Sequence, residues 1–172
     1  MAVEGLKIRR AEPEDCDGLR ELYSGPSVIA GTFQLPYPSR ELWRQRLADT
    51  SDGNYKLVAV VGELVVGMLG LHTFPNNPRR KHAGTFGISV REDWQGKGVG
   101  TELLRAALDM ADKWLNLTRI ELEVYADNEP AIRLYESFGF EREGKLRQHA
   151  FRDGQYVDSI VMSRLRPAGT SS

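Results

Sequence analysis

Three glycines and a glutamine stand close together in the second half of this 172-residue chain. Gln95, Gly98 and Gly100 have the spacing Q-x-x-G-x-G, and Gly96 lies among them. An apolar, strand-like segment precedes them and a helical pattern follows at once. Such a loop leaves backbone N–H groups unpaired at the positive end of a helix dipole, and glycine lets an anion approach the backbone. The pattern predicts a pyrophosphate site, for a dinucleotide, a nucleoside triphosphate or coenzyme A.

The spacing argues against two common nucleotide-binding loops. The dinucleotide loop G-x-G-x-x-G requires glycine at position 101, where this chain has Thr101. Glu121 and Glu123 lie about where a ribose-binding carboxylate is expected, but the loop follows several strands instead of opening the first βαβ unit. A P-loop requires Gly-Lys followed by Ser or Thr, which the sequence lacks. Both interpretations are therefore disfavoured.

A second group of residues lies further along the chain. Asn128 and Tyr135 are seven residues apart, which places them on nearly the same face of a helix, two turns from each other. A tyrosine has a pKa of ~10, stays protonated at neutral pH and can donate a proton to a departing thiolate. Taken alone, a tyrosine beside Leu134 and Phe138 indicates a core position; combined with the glycine loop, it indicates a general acid.

Charge and cysteine content limit the class of protein. The net charge is −1, so the overall balance indicates neither a nucleic-acid partner nor a basic membrane anchor. The single cysteine, Cys16, rules out an internal disulfide framework and suits a reducing compartment. We find no long apolar run at the N-terminus, and we therefore expect a cytoplasmic protein without a signal peptide or a transmembrane helix. The sequence leaves a homodimer open.

Length and pattern predict one domain over residues 1–166 with a flexible tail over residues 167–172. No metal site is expected, because the three histidines, His72, His82 and His149, have no paired ligand spacing. The strands are predicted over residues 6–10, 55–61, 64–73, 82–90, 120–124, 148–152 and 156–165. Four helices are predicted: over residues 13–23, from an N-cap at Ser39, over residues 98–115, and from Asn128 to Gly139. A polar, aromatic loop is predicted over residues 24–38.

The two motifs together resemble those of the GCN5-related N-acetyltransferase (GNAT) family. The first motif is Q-G-K-G-V-G over residues 95–100. The second motif begins at Asn128 and continues with Ala131-Ile132, Leu134-Tyr135 and Gly139-Phe140. The resemblance covers most of the chain, from Leu6 to Leu165. It implies an α+β fold with a GNAT-type mixed, strongly twisted and splayed β-sheet flanked by helices. It also implies acetyl transfer from acetyl-CoA to a nitrogen.

The resemblance further implies roles for individual residues. The backbone of Ile88 and Val90 would pair with the pantetheine arm of acetyl-CoA, Asn128 would bind the same arm, and Tyr135 would protonate the CoA thiolate. The pyrophosphate would be held by the N–H groups of Gln95, Gly96, Lys97, Gly98, Val99, Gly100 and Thr101. No covalent acyl-enzyme is required.

A narrower resemblance concerns the acceptor. Residues 32–39, 78–82 and 153–158 resemble the bacterial L-amino-acid N-acetyltransferase branch that acts on phenylalanine- and methionine-like substrates. It implies that Phe33, Leu35 and Tyr37 form walls of the acceptor pocket. A protein N-terminal or lysine acetyltransferase and a non-catalytic CoA-binding module are the alternatives.

Two roles stay open at the level of the sequence. The general base is Glu121, Glu123, His72, His82 or water, and no pattern chooses among them. The carboxylate of an amino-acid acceptor would also require a cation or backbone donors. The available cations are Arg79, Arg80 and Arg147.

Overall fold

The computed structural model describes residues 3–166. The strands are β1 (Leu6–Arg10), β2 (Asn54–Val61), β3 (Leu64–Thr73), β4 (Ala83–Val90), β5 (Arg119–Tyr125), β6 (Glu141–Arg152) and β7 (Gln155–Leu165). The α-helices are α1 (Cys16–Leu22), α2 (Pro26–Gly31), α3 (Arg40–Ala48), α4 (Val99–Lys113) and α5 (Glu129–Ser137). None of these helices is both long and apolar enough to cross a membrane.

The seven strands have the order β1-β2-β3-β4-β5-β7-β6. Strands β4 and β5 run parallel, whereas β1 and β2, β5 and β7, and β6 and β7 pair antiparallel. The fold is therefore a mixed sheet with flanking helices, and the predicted α+β class is confirmed. The pairing between β4 and β5 extends over three residue pairs, from Ala83 to Thr85 on β4.

The residue contacts divide the chain into two compact units. Unit 1 contains the residues up to Leu71 together with Gly87–Leu108, and unit 2 contains His72–Phe86 and the residues from Asp109 onward. The boundaries fall within β3, β4 and α4. A single domain over residues 1–166 stays a prediction, and the predicted tail over residues 167–172 lies outside the described residues.

The core of unit 1 forms where α1, α2 and α3 pack on strands β2 and β3. Tyr23 and Trp43 stack with 4.6 Å between ring centroids. The thiol of Cys16 is buried and donates a hydrogen bond to the carbonyl oxygen of Arg40 at 3.3 Å. The cluster of buried side chains contains Cys16, Leu19, Leu22, Tyr23, Val28, Trp43, Val58, Val60, Val65 and Met68.

Local signals in the sequence locate several element ends correctly. Ser39 accepts a hydrogen bond from the N–H of Leu42 at 3.1 Å, and the Asn128 side chain accepts one from the N–H of Ala131 at 3.3 Å. Both residues are therefore N-caps, as predicted. The turn at Asp153 and Gly154 has positive φ angles at both residues, as a two-residue hairpin requires.

Two predictions of local structure are wrong. The loop over residues 24–38 contains helix α2, which begins at Pro26 and buries Val28. Proline at a first helical position was the available signal, but six residues are too few to show helical periodicity. Strand β6 begins at Glu141 instead of residue 148, since two register shifts interrupt its alternation.

Helix α4 packs closely on β3 within unit 1, and the contact depends on a missing side chain. A Cβ atom at Gly67 would lie 2.8 Å from the Cδ1 of Leu103, 2.9 Å from the Cγ1 of Val99 and 3.3 Å from the backbone oxygen of Ser89. Real Cβ atoms essentially never approach other atoms below 3.0 Å. Gly67 therefore fixes how near the first turns of α4 come to the sheet.

We expect Gly67→Ala to destabilise the protein by about 1–3 kcal/mol, because overpacking at this contact must displace α4. Gly87→Ala is the matched control, since a Cβ there meets nothing within 4 Å. Urea denaturation followed by circular dichroism measures both free energies of unfolding. Equal stability of the two variants would show that the helix adjusts without cost.

Candidate active site

The glycine loop, residues 95–101, connects β4 to α4 in unit 1. A short 3₁₀ turn over Glu92–Trp94 follows β4, and α4 begins at Val99. Gly96 and Gly98 have φ angles of 73° and 91°, in the region that favours glycine. The sequence folds this way because only glycine enters such a turn without strain immediately before a helix.

Six consecutive backbone N–H groups of this loop, those of residues 96–101, have no partner within the described part of the chain. Before this stretch, the N–H of Gln95 donates to the oxygen of Glu92. After it, the N–H of Glu102 donates to the oxygen of Gly98. Among the residues that the structure describes, none accepts a hydrogen bond from the N–H groups of residues 96–101. Unpaired donors at a helix N-terminus attract anions, so the loop fits the pyrophosphate of a nucleotide-like molecule.

The side chains of the loop have structural contacts of their own. The amide nitrogen of Gln95 donates to the oxygen of Val90 at 3.1 Å and lies 3.1 Å from the hydroxyl of Ser27 on α2. The ammonium of Lys97 lies 4.9 Å from the centroid of the Trp94 ring. Gln95 therefore holds the loop against the end of β4 and against α2.

The predicted strand contacts lie at the end of β4. Ile88 and Val90 are half-buried, and both lie beyond Thr85, the last β4 residue that pairs with β5. The N–H of Arg91 donates to the oxygen of Val66 on β3 at 2.8 Å. The backbone of Arg91, the residue that follows β4, is therefore bonded to β3.

Asn128 and Tyr135 lie on α5 in unit 2. The carbonyl oxygen of the Asn128 side chain caps the helix, which leaves its NH₂ group for other partners. Tyr135 is 7% exposed and packs among aromatic rings, with centroids 5.7 Å from Phe86 and 6.0 Å from Phe140. Burial raises the pKa of Tyr135 far above its ordinary value, so the phenol stays protonated.

The hydroxyl of Tyr135 is available as a donor. It makes no hydrogen bond with any residue that the structure describes, and its oxygen is not among the buried polar atoms that lack a partner. The oxygen therefore reaches the surface although the ring is buried. A protonated phenol with a free, accessible hydroxyl has the properties of a general acid.

The residues predicted to form the acceptor walls are exposed. Phe33, Leu35 and Tyr37 are 60%, 82% and 96% exposed, and Tyr37 has a φ of 63°. They lie in unit 1 between α2 and α3. Exposed large apolar side chains that are close in sequence are typical of a binding surface, and the pocket itself stays a prediction.

The structure separates the candidate bases on β5. The carboxylate of Glu121 accepts hydrogen bonds from Arg80 at 2.5 Å and from Arg119 at 2.9 Å. Although partial burial raises the pKa of Glu121, these two cations hold it below its ordinary value. Glu121 is therefore a poor proton acceptor.

Glu123 has a different environment. Its carboxylate oxygen lies 3.5 Å from the Nε2 of His149, whose Nδ1 lies 2.9 Å from the hydroxyl oxygen of Ser159. Sequence reasoning missed this contact, because β6 and β5 are separated along the chain and are joined only through β7. His72 and His82, the other candidates, have exposed side chains.

No group of three or more His, Cys, Asp or Glu side chains that could hold a metal ion occurs in residues 3–166. The described residues supply groups for proton transfer and for anion binding by side chains and backbone.

Comparisons with known proteins give the family. The model of the acetyltransferase (GNAT) family matches residues 17–140. An L-amino acid N-acetyltransferase of Escherichia coli is 42% identical over 94% of this chain and 98% of its own length. A spermidine N(1)-acetyltransferase of Escherichia coli is 31% identical over 94% of this chain and 86% of its own length.

A solved structure shares the fold as well. The spermidine N-acetyltransferase from Vibrio cholerae, in complex with CoA and spermine, has a TM-score of 0.80 and 28% identity over 95% of this chain and 96% of its own. The family model, the relatives and the fold agree, and this chain belongs to the GNAT family of acetyltransferases and is an N-acetyltransferase.

Proposed function

We propose that this enzyme transfers the acetyl group of acetyl-CoA to the α-amino group of an apolar or aromatic L-amino acid. The free N–H groups of residues 96–101 carry the proposal for the cofactor, since they fit a pyrophosphate. The L-amino acid N-acetyltransferase relative, at 42% identity, supports the acceptor class. The aromatic segment at Phe33 and Tyr37 supports an apolar side chain on the acceptor.

The proposed chemistry is a direct transfer. Acetyl-CoA supplies a thioester carbonyl when bound. Glu123 is favoured as the acceptor of the proton from the α-ammonium, directly or through water, because Glu121 is held by two arginines. The free amine attacks the carbonyl carbon, and the C–S bond breaks as Tyr135 donates its proton to the departing sulfur. The second proton, which the nitrogen loses on becoming an amide, restores the Tyr135 phenol through water.

Backbone groups would complete the site. A backbone N–H near Ile88 to Val90 is the natural donor to the oxyanion of the tetrahedral intermediate. Asn128 would bind the pantetheine arm through its NH₂ group. A cytoplasmic location and a homodimer stay predictions from the sequence.

A panel of acceptors tests the proposed function. With acetyl-CoA and a thiol reagent, we expect phenylalanine to be acetylated more efficiently than glycine by about one to two powers of ten, because burial of a side chain of that size contributes about 1.5–3 kcal/mol. Faster acetylation of polyamines, or of peptides at their N-termini or lysines, would replace the amino-acid assignment. The absence of any turnover would favour a CoA-binding module.

Gly98→Asp tests the cofactor site. We expect a severe loss of CoA affinity in calorimetry, because the substitution places a side chain and a negative charge where the phosphates approach. Gly62→Asp is the matched control: it also has a positive φ, and a side chain there meets nothing within 4 Å. Binding of NAD without binding of CoA would contradict the proposal.

Tyr135→Phe tests the acid. The variant keeps the ring packing with Phe86 and Phe140, so we expect an unchanged melting temperature and unchanged acetyl-CoA affinity. We expect kcat to fall by about 10²–10⁴-fold, the usual contribution of general acid–base catalysis. Tyr55→Phe serves as a control for loss of a hydroxyl elsewhere. An unchanged kcat would show that Tyr135 has a packing role only.

A further inference from the structure

Strand β6 is interrupted in the middle, and an open depression lies at that point. Leu146 of β6 pairs with Ser159 of β7, and Ala150 of β6 pairs with Val157 of β7. The three β6 residues between these pairs, residues 147–149, therefore oppose a single β7 residue, Asp158. Everything that lines the depression belongs to unit 2. The lining residues are Lys145, Leu146, Arg147, Gln148, His149 and Asp158.

The interruption is held by a specific bond. Gln148 has a φ of 50°, an uncommon value for a residue with a side chain, and its N–H donates to the Oδ1 of Asp158 at 2.7 Å. Bulges of this kind redirect the neighbouring side chains and are frequent beside active sites. The strained residue Gln148 therefore lies between Arg147 and His149, where the interruption of the strand redirects their side chains.

The charges in the depression do not balance. The only carboxylate in the lining, Asp158, already accepts from the Gln148 N–H and lies 3.4 Å from the ammonium of Lys145. The bond from Gln148, with help from Lys145 and Arg147, holds the pKa of Asp158 below its ordinary value. Arg147 is exposed and makes no hydrogen bond or ion pair with the residues that the structure describes. Its guanidinium is therefore available to an anion.

The depression is connected to the proposed base. His149 lines it, and the same ring contacts Glu123 at 3.5 Å and Ser159 at 2.9 Å. His149 is therefore shared by the depression, whose lining includes Arg147, and by the contact with Glu123. An α-amino acid carries a carboxylate and an ammonium on a single carbon, so its binding site requires a cation and a carboxylate near each other.

We infer that the depression binds the carboxylate of the acceptor, with Arg147 as its principal ligand and Lys145 as a second cation. The inference rests on the proposed function and narrows it to amines that carry an anionic group beside the reacting nitrogen. A polyamine, which has no carboxylate, gains nothing from Arg147 and is repelled by it.

The test compares one acceptor with and without its carboxylate. Initial rates give KM for L-phenylalanine and for L-phenylalaninamide with wild type, Arg147→Ala and Arg142→Ala. Arg142→Ala is the matched control, because Arg142 is an exposed arginine on the same strand and forms an ion pair with Glu136. Circular dichroism and the KM for acetyl-CoA confirm that each variant is intact.

We expect Arg147→Ala to raise the KM for phenylalanine by about tenfold or more, the usual effect of removing a charged hydrogen-bond partner, and to change the KM for the amide by less than about twofold. Arg142→Ala changes neither value, and Arg147→Lys recovers part of the loss. Equal effects of Arg147→Ala on both acceptors, or no effect on either, overturn the inference while the amino-acid function stands. A wild type that acetylates no free amino acid overturns both.

Discussion

The close approach of α4 to β3 at Gly67 is the contact that positions the glycine loop within unit 1. The helix bears the glycine loop at its N-terminus, so the distance between helix and sheet also sets the position of the unpaired N–H groups. Gln95 fixes the other side of the loop by bonding to Val90 and Ser27. The anion site proposed at this loop therefore depends on packing density as much as on the loop sequence, since a displaced helix would carry its N–H groups with it.

Much of the fold could be predicted because its signals are local. The strand before the glycine loop was predicted to within one residue, and the N-caps at Ser39 and Asn128 were found from residue type alone. Helix α2 was missed because six residues carry almost no periodic signal. The start of β6 was missed because bulges remove the alternation by which a strand is recognised.

The candidate site was predictable in its backbone part and not in its side-chain pairs. Glycine spacing predicts an anion site directly, because backbone donors need no partner from elsewhere in the chain. The sequence could not show which of Glu121 and Glu123 is the better base, since both are glutamates on the same face of β5. Their difference comes from Arg80 and His149, which are distant in sequence and meet β5 only in the folded sheet.

Cys16 is the single cysteine of the sequence, and its side chain is 5% exposed. Its thiol lies in the core of unit 1 and is directed at the carbonyl oxygen of Arg40. Buried thiols react slowly with electrophiles, whereas each acetyl transfer releases one CoA thiol into solution. A chromogenic disulfide reagent therefore measures the CoA thiol released at each turnover, with little background from Cys16. If more thiol reacts than acetylated product forms, the excess measures exposure of Cys16 when the packing around α1 and α3 opens.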